Sequence, residues 1–277
     1  MIESLGYAYM QRAMVAGVVI GALCAVIGVY VVLKQLSFIG AGISHASFGG
    51  VALGMWLGIN PVWTAVGFCL LVAWCIGIVS RRKIVKEDTA VGVFFASTMA
   101  LGIVIIGLMQ GYQVDLFSYL FGSIIAVTRA DVWTTVGLAV VVLGCVGVFY
   151  KDLLFVTFDP EMAEVTGLPA GRLYFLLISL MALTVAVSIK VIGIVLVSAL
   201  IVIPAAAAYQ LTERFKNMMA LSVVFGVGST ILGLFISDWL RIASGASIVL
   251  LATLIFFVCA ALSPRRRRQG HTSRSAV

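Results

Sequence analysis

The chain has 277 residues, of which 62% are hydrophobic and only 10% are charged. Its mean hydropathy of +1.18 lies far above that of soluble proteins, which excludes a soluble enzyme or signalling domain and indicates a polytopic membrane protein. The five cysteines stand singly in apolar segments, so the spacing favours packing residues over a metal site or a redox pair.

Apolar runs fill most of the sequence, and several come close to the roughly 20 residues that a transmembrane helix needs. The stretch from 173 to 209 is nearly continuous and fits either two short spans or one long tilted helix, of which we favour two. The sequence predicts an all-α transmembrane bundle of eight or nine spans over residues 1–264, with a short leader into a retained first span. The runs are 13–33, 37–57, 61–79, 90–109, 131–150, 173–188, 191–209, 217–236 and 246–263.

The basic residues set the expected orientation of this bundle. With nine spans and a cytoplasmic C-terminus, fourteen of the eighteen Lys and Arg residues fall on the cytoplasmic side, where such residues are retained. The net charge of +7 is then a signal of topology rather than of nucleic-acid binding. Residues 265–277 form a basic cytoplasmic tail whose RRRR run serves as a stop-transfer anchor.

One ionisable residue stands inside the second apolar run. His45 lies near the middle of the segment Ser37 to Gly54, and a titratable side chain at bilayer depth is costly enough to indicate a function. At 100° per residue, small residues share its helical face, which gives either a path for a small solute or room for a closely packed helix. The face holds Phe38, Ala41, Gly42, Gly49 and Ala52, with Ser44 and Ser47 to either side.

Two connections between the predicted spans have sequences that indicate more structure than an ordinary loop. The outer one, 111–131, has an apolar core too short to cross the bilayer and is expected to be re-entrant or interfacial. Its Asp115 and Asp131 either attract a cation or a docking protein, or are ordinary solvated carboxylates. The other connection, 151–172, lies in the cytoplasm in the predicted topology.

The cytoplasmic connection specifies a short helix outside the membrane. Asp159 caps it, Pro160 takes its first position, Glu161 lies near its positive end, and Gly167 and Pro169 stop it. Such a helix either docks onto a cytoplasmic partner or lies at the lipid interface. Its acidic residues would face anionic headgroups in the second case, so we favour docking.

A proline lies inside the seventh apolar run. Pro204 removes a backbone hydrogen bond and kinks the helix, and the four alanines after it allow close packing. The position is either a hinge for gating or a static kink. It is our hinge candidate.

The sequence carries no catalytic signature. It has no GxxxxGK phosphate loop and no HExxH motif, and His271 stands in a polar tail away from His45. The chain is therefore not expected to be an enzyme, and any ATP hydrolysis must take place on another subunit.

Three blocks of the chain resemble the membrane permeases of ATP-driven zinc, manganese and iron importers, the ABC-3 type metal permeases. They are SFIGAGISHASFGGVALG at 37–54, FDPEMAEVTGLP at 158–169 and VIGIVLVSALIVIPAAAA at 191–208. A weaker fourth block is GLFISDWLRIASGASIVL at 233–250. The resemblance covers nearly the whole chain in order.

This resemblance implies a fold similar to that of type II importers, in a multi-pass protein of the cytoplasmic membrane. It implies partner ATPase subunits, an extracytoplasmic metal-binding protein and a second copy of the chain, with glycine faces such as Gly17 and Gly21, or Gly50, Gly54 and Gly58, allowing close approach. A divalent transition cation would be cargo, with no resident cofactor. His45 would contact the metal, with Ser44 and Ser47 as further candidates, and Asp115, Asp131 and Asp238 would mark the external docking surface over 111–131 and 237–246. The coupling helix would comprise Phe158, Asp159, Pro160, Glu161, Gly167, Leu168 and Pro169.

One position departs from the family pattern. Members commonly have an aspartate four residues before the histidine, where this chain has Ala41. Losing that carboxylate removes a hard anionic ligand, so we expect a softer or looser contact rather than a manganese-type site, because imidazole suits zinc and iron. Ser44, Ser47 and backbone carbonyls remain as oxygen contacts.

Two other functions remain as alternatives. An ion-coupled secondary metal transporter would need a membrane-embedded acid at midplane, whereas the acids here fall at segment ends or in loops. A membrane scaffold without transport activity would not need the capped cytoplasmic helix. Both features favour the ATP-driven permease.

Overall fold

The computed structural model describes residues 7–82, 85–109, 116–123 and 125–263, with Leu116 and Phe117 described by their backbone alone. These residues form twelve helices and no strand, which confirms the all-α prediction. The helices are α1 Ala8–Leu33, α2 Ser37–Leu57, α3 Pro61–Arg81, α4 Glu87–Leu108, α5 Leu116–Phe121, α6 Arg129–Val148, α7 Tyr150–Phe158, α8 Pro160–Val165, α9 Ala170–Ile192, α10 Ile194–Leu211, α11 Phe215–Leu240 and α12 Ser244–Leu262.

Nine of the described helices are long and apolar enough to span a bilayer. They have between 18 and 26 residues, and the three short helices α5, α7 and α8 lie between them. The first span begins at Ala8, earlier than the predicted residue 13. The stretch from 173 to 209 holds two spans, because Gly193 adopts a φ of 93° and breaks the helix there.

The connections between successive spans lie by turns at the two ends of the bundle, and those at one end contact each other. At what we call the basic end, the α1–α2 turn reaches α7 through a 2.9 Å hydrogen bond from Lys34 Nζ to the Val156 carbonyl. At the opposite end, the segment after α5 reaches the α9–α10 break, where the Ser123 amide donates to the Lys190 carbonyl at 3.1 Å. Lys and Arg residues are concentrated at the basic end, as the predicted topology requires.

The centre of the bundle is made by α1, α2 and α9. In the apolar stretches of α2 and α9, 72% of the residues are buried, against 17% in α4 and 22% in α6, whose outer faces are left to lipid or to other chains. The core is close-packed where glycines stand, since a Cβ at Gly28 of α1 would overlap the carbonyl oxygen of Ile201 in α10.

The glycine faces expected at a dimer interface are used inside the single chain instead. A Cβ at Gly17 would come within 2.8 Å of Leu234, and one at Gly21 within 2.9 Å of the Gly226 carbonyl, so both serve the packing of α1 against α11. Gly50 and Gly54 approach α3 in the same way, whereas nothing lies within 4 Å of a Cβ at Gly58. The expectation was therefore wrong for four of the five glycines: small residues permit close approach, but a sequence does not say which helix approaches.

Candidate metal path and coupling segment

His45 has an unsatisfied ring nitrogen. Among the described residues, its Nδ1 atom is buried and has no hydrogen-bond partner. The ring stands edge-on to Phe95 of α4, with centroids 4.6 Å apart and an interplanar angle of 78°. A buried polar atom without a partner is costly, so a nitrogen left free in this place suits a ligand-binding role.

The two serines beside His45 are occupied structurally. Ser44 Oγ donates to the carbonyl of Ile194 at the start of α10, and Ser47 Oγ donates to the carbonyl of Ser44. Both side chains are completely buried. Ser44 holds α2 to α10, Ser47 bonds within α2, and neither presents an open oxygen beside the imidazole.

The face of α2 that carries His45 divides into a packed part and an open part. A Cβ at Gly42 would lie 2.5 Å from Val91 of α4, and one at Gly49 would lie 2.9 Å from the Thr98 carbonyl, so close helix packing explains these two glycines. Phe38 is 52% exposed, and Ala41 and His45 are half-buried. Phe38, Ala41 and His45 are the residues of this face that remain accessible.

No metal cluster is complete within the part of the chain that the structure describes. None of its His, Cys, Asp and Glu side chains come together in a group of three or more. The α2 position one turn before His45, where an additional ligand would share its face, is Ala41. One copy of the chain therefore brings a single imidazole to this place.

Asp131, a predicted cation contact at the opposite end, is bound to neighbouring groups. It forms a capping box with Thr128 at the start of α6, and both its carboxylate oxygens lie 2.8 Å from Lys190 Nζ. The pair is mostly buried, with 13% and 22% of the two side chains exposed. Asp115, predicted alongside it, lies outside the described residues.

Asp238 lines a cavity of about 720 Å³ at the opposite end. Its Oδ1 accepts a hydrogen bond from the Tyr9 hydroxyl at 3.2 Å, which ties α11 to α1. The cavity wall is completed by residues of the α5 connection and of the α11–α12 turn, including Ser123 and Arg241. The two surfaces predicted for external docking, 111–131 and 237–246, thus meet around one concave site.

The segment from α7 to α8, which we call the coupling segment, is built as its sequence predicts. Asp159 caps α8 by accepting from the Met162 amide at 2.9 Å, with Pro160 at the first helical position. The helix ends at Val165, and Gly167, with a φ of 85°, turns the chain so that the Leu168 amide donates back to the Ala163 carbonyl at 3.0 Å. Six residues of helix thus project as one capped unit.

The outer surface of the coupling segment combines apolar and acidic groups. Phe158 is 63% exposed, Met162 52% and Val165 81%. Ala163 is buried and packs α8 against the rest of the protein. Glu161 and Pro169 are also exposed. Exposed apolar side chains beside carboxylates on a short projecting helix are suited to a groove on another protein.

Pro204 lies buried near the middle of α10. Its missing N–H leaves the Leu200 carbonyl without the usual helical donor. Tight packing continues one turn earlier, where Ile201 meets Gly28 of α1. The hinge role stays a prediction.

Three basic residues with structural roles were not singled out by sequence reasoning. Lys190 neutralises Asp131, Lys34 binds α7, and Arg81 at the end of α3 lies 3.7 Å from Glu164 of α8. The predicted topology places Lys34 and Arg81 among the fourteen cytoplasmic basic residues and Lys190 among the four on the other side, with no structural role for any of them. The sequence did contain one indication of the role of Lys34. Pro160 has no N–H, so the carbonyl four residues earlier, that of Val156, needs a donor from elsewhere.

The described residues form a bundle with nine candidate membrane spans and a capped helix projecting from its basic end, an architecture that suits a transport permease. A family model for the ABC 3 transport family matches residues 6–263, and the chain belongs to this family. The manganese transport system membrane protein MntC of Halalkalibacterium halodurans is 41% identical over 264 residues, which cover 95% of this chain and 90% of that protein. The manganese import system permease protein ScaB of Streptococcus gordonii is 38% identical, with 94% and 93% covered.

The solved structure of PsaBC from Streptococcus pneumoniae in complex with Fab shares the architecture. It superposes with a TM-score of 0.87 at 35% identity, covering 96% of each chain. These comparisons confirm the predicted permease subunit of a metal-transporting ABC importer, a multi-pass cell-membrane protein that is not itself an enzyme. As in other members, ATPase and substrate-binding protein partners complete the system.

Proposed function

We propose that this chain, paired with a second copy of itself, forms the path by which an ATP-driven importer moves a divalent transition cation into the cell. Manganese is the first candidate, because both curated relatives compared above are named for manganese. Zinc or iron is the second candidate, favoured by the imidazole of His45 and by Ala41 in place of a carboxylate.

The buried, unpartnered Nδ1 of His45 carries this proposal. A neutral imidazole is a common ligand of transition cations, and a single one holds a cation weakly enough to let it pass. Since one copy supplies no cluster of three ligands among its described residues, a second copy facing the open part of α2 would add the donors that are lacking.

The coupling segment supports ATP-driven transport over ion-coupled transport. The segment exposes Phe158 at the end of α7 and Glu161 and Met162 on the capped helix α8, and we propose that a cytoplasmic ATPase binds there. The excess of Lys and Arg at the same end favours a cytoplasmic location, with the C-terminus on that side. The cavity around Asp238 at the other end then faces the metal-binding protein.

Metal uptake by the permease–ATPase complex in proteoliposomes tests the cargo. We expect ATP-dependent accumulation of Mn²⁺ to fall at least about tenfold in His45→Ala, since the substitution removes the imidazole that contacts the cation. Ser97→Ala is the control, because this exposed hydroxyl of α4 bonds only to its own helix, at Val93. Parallel measurements with Zn²⁺, Fe²⁺ and Co²⁺ rank the metals.

Two results would contradict the proposal. Accumulation that persists without ATP but collapses with the ion gradient would indicate a secondary transporter, and a metal response independent of His45 would remove the site. Substitution of both Glu161 and Gly167 should abolish co-purification of the ATPase. An intact complex after those changes would show that the coupling segment is not its binding surface.

A further inference from the structure

Lys34 joins the turn before α2 to the coupling segment. Its side chain is half-buried at the end of α1, and Nζ donates to the Val156 carbonyl of α7 at 2.9 Å. Burial lowers the pKa of this ammonium group. A partly buried ammonium group needs a hydrogen-bond acceptor to replace water, and the Val156 carbonyl oxygen is that acceptor.

The Val156 carbonyl is available because of a proline. In a continuous helix it would accept from the amide of residue 160, but Pro160 has no N–H. The carbonyl also lies in the last turn of α7, where the helix dipole favours a positive charge. Lys34 therefore occupies the position left vacant at the junction between α7 and α8.

The turn that carries Lys34 is stiff and leads directly into α2. The Lys34 amide donates to Tyr30 and the Leu36 amide to Val31, both at 2.9 Å, and Gln35 is held at a φ of 59°. Helix α2 begins at Ser37, and His45 follows roughly two turns later. A displacement applied at Lys34 is thus passed on to the helix that carries the imidazole.

We propose that Lys34 is a positioning residue that transmits movement of the coupling segment to α2 and so sets the placement of His45. This inference rests on the proposed function, in which the cation passes His45 and the ATPase binds the coupling segment. The link is a charged hydrogen bond, which is stronger than a neutral one, so it persists while the segment moves and draws the turn after α1 with it. It acts through α2 and does not itself contact the cation.

The test compares metal uptake with ATP hydrolysis in Lys34→Met, whose side chain keeps the length and apolar stem but loses the donor. The permease–ATPase complex is reconstituted in proteoliposomes with Mn²⁺ alone as the probe. We expect the complex to assemble and hydrolyse ATP, while Mn²⁺ transported per ATP falls about tenfold, the size of a typical coupling between sites. Lys34→Arg restores most of the ratio, because guanidinium also donates to the carbonyl. Lys216→Met, an exposed lysine at the same end, leaves the ratio unchanged.

Three outcomes are distinguishable. An unchanged ratio in Lys34→Met overturns the inference, and so does an equal loss of assembly in Lys34→Met and Lys34→Arg, which would indicate a purely structural lysine. A wild-type complex that hydrolyses ATP but moves no Mn²⁺ or other transition cation instead refutes the proposed function.

Discussion

The opposite end of the bundle is joined by close backbone contacts as well as one ion pair, whereas the coupling segment at the basic end is joined by long side chains. At the opposite end, the α5 connection, the α9–α10 break and the start of α12 meet backbone to backbone. A Cβ at Gly245 would overlap the Ile192 carbonyl, and one at Gly193 the Leu120 carbonyl. At the basic end, long side chains make the links: Lys34 to α7 and Arg81 to α8.

This difference separates a rigid end from an adjustable one. Backbone groups in van der Waals contact have no torsions with which to accommodate a shift, so the opposite end moves as a unit or not at all. Lysine and arginine side chains can retain a contact while the groups they join move by an ångström or more. The adjustable end is the one that carries the coupling segment, where an ATPase would exert force.

The largest predicted effect tests the rigid end. Gly245→Ala should lower the free energy of unfolding by about 3 kcal/mol, since the added Cβ meets two backbone oxygens that cannot retreat. Thermal unfolding of the purified permease in detergent measures this. Gly137→Ala is the matched control, because nothing lies within 4 Å of a Cβ at that glycine, and the change should be neutral or slightly stabilising. Equal behaviour of the two variants would refute the rigid description.

A second prediction tests the ion pair at the same end. Lys190→Met should destabilise by about 2 kcal/mol, because it leaves the mostly buried Asp131 carboxylate without its counter-charge. Adding Asp131→Asn should recover part of the loss, a coupling that a double-mutant cycle measures by unfolding. Additive losses would mean that the pair contributes nothing as a pair. If Asp131 contacts passing cations, Lys190→Met will also change the rate of Mn²⁺ uptake.

The spans and the coupling segment were predictable because local chemistry determines them. Apolar length locates a membrane helix, and the order Asp159, Pro160, Gly167 specifies where a short helix begins and ends. Even the break near 193 left a signal, since the apolar stretch was too long for one span. Helix ends differed by a few residues because hydropathy does not mark the cap.

The partners of individual side chains were not predictable. Gly17 and Gly21 were assigned to a dimer interface but pack against α11, because a small-residue face is complementary to many neighbours. Ser44 was a candidate ligand but holds the start of α10, a contact across 150 positions of sequence. Long-range geometry of this kind depends on the packed bundle and leaves no periodic pattern in the chain.

A third, smaller effect tests whether the coupling segment needs its cap. Asp159→Ala removes the acceptor for the Met162 amide and should weaken α8 by about 1 kcal/mol, while Asp159→Asn keeps an acceptor and most of that energy. The rate of amide hydrogen exchange at residues 161–166 should rise in the alanine variant alone. The result would be contradicted if Asp159→Ala lowered the free energy of global unfolding as much as it lowered the exchange protection of α8. The segment would then be part of the core rather than an adjustable unit.

The smallest predicted effect concerns Arg81. Its guanidinium lies 3.7 Å from Glu164 and 6.0 Å from the centre of the Tyr174 ring, and the ion pair is well exposed, so Arg81→Met should change the free energy of unfolding by no more than about 0.5 kcal/mol. Gly171→Ala should be similarly mild although its Cβ would meet this guanidinium, because the arginine can swing away. A side-chain link tolerates what the backbone contact at Gly245 cannot. A loss above 2 kcal/mol in either variant would show that the basic end is as rigid as the opposite one.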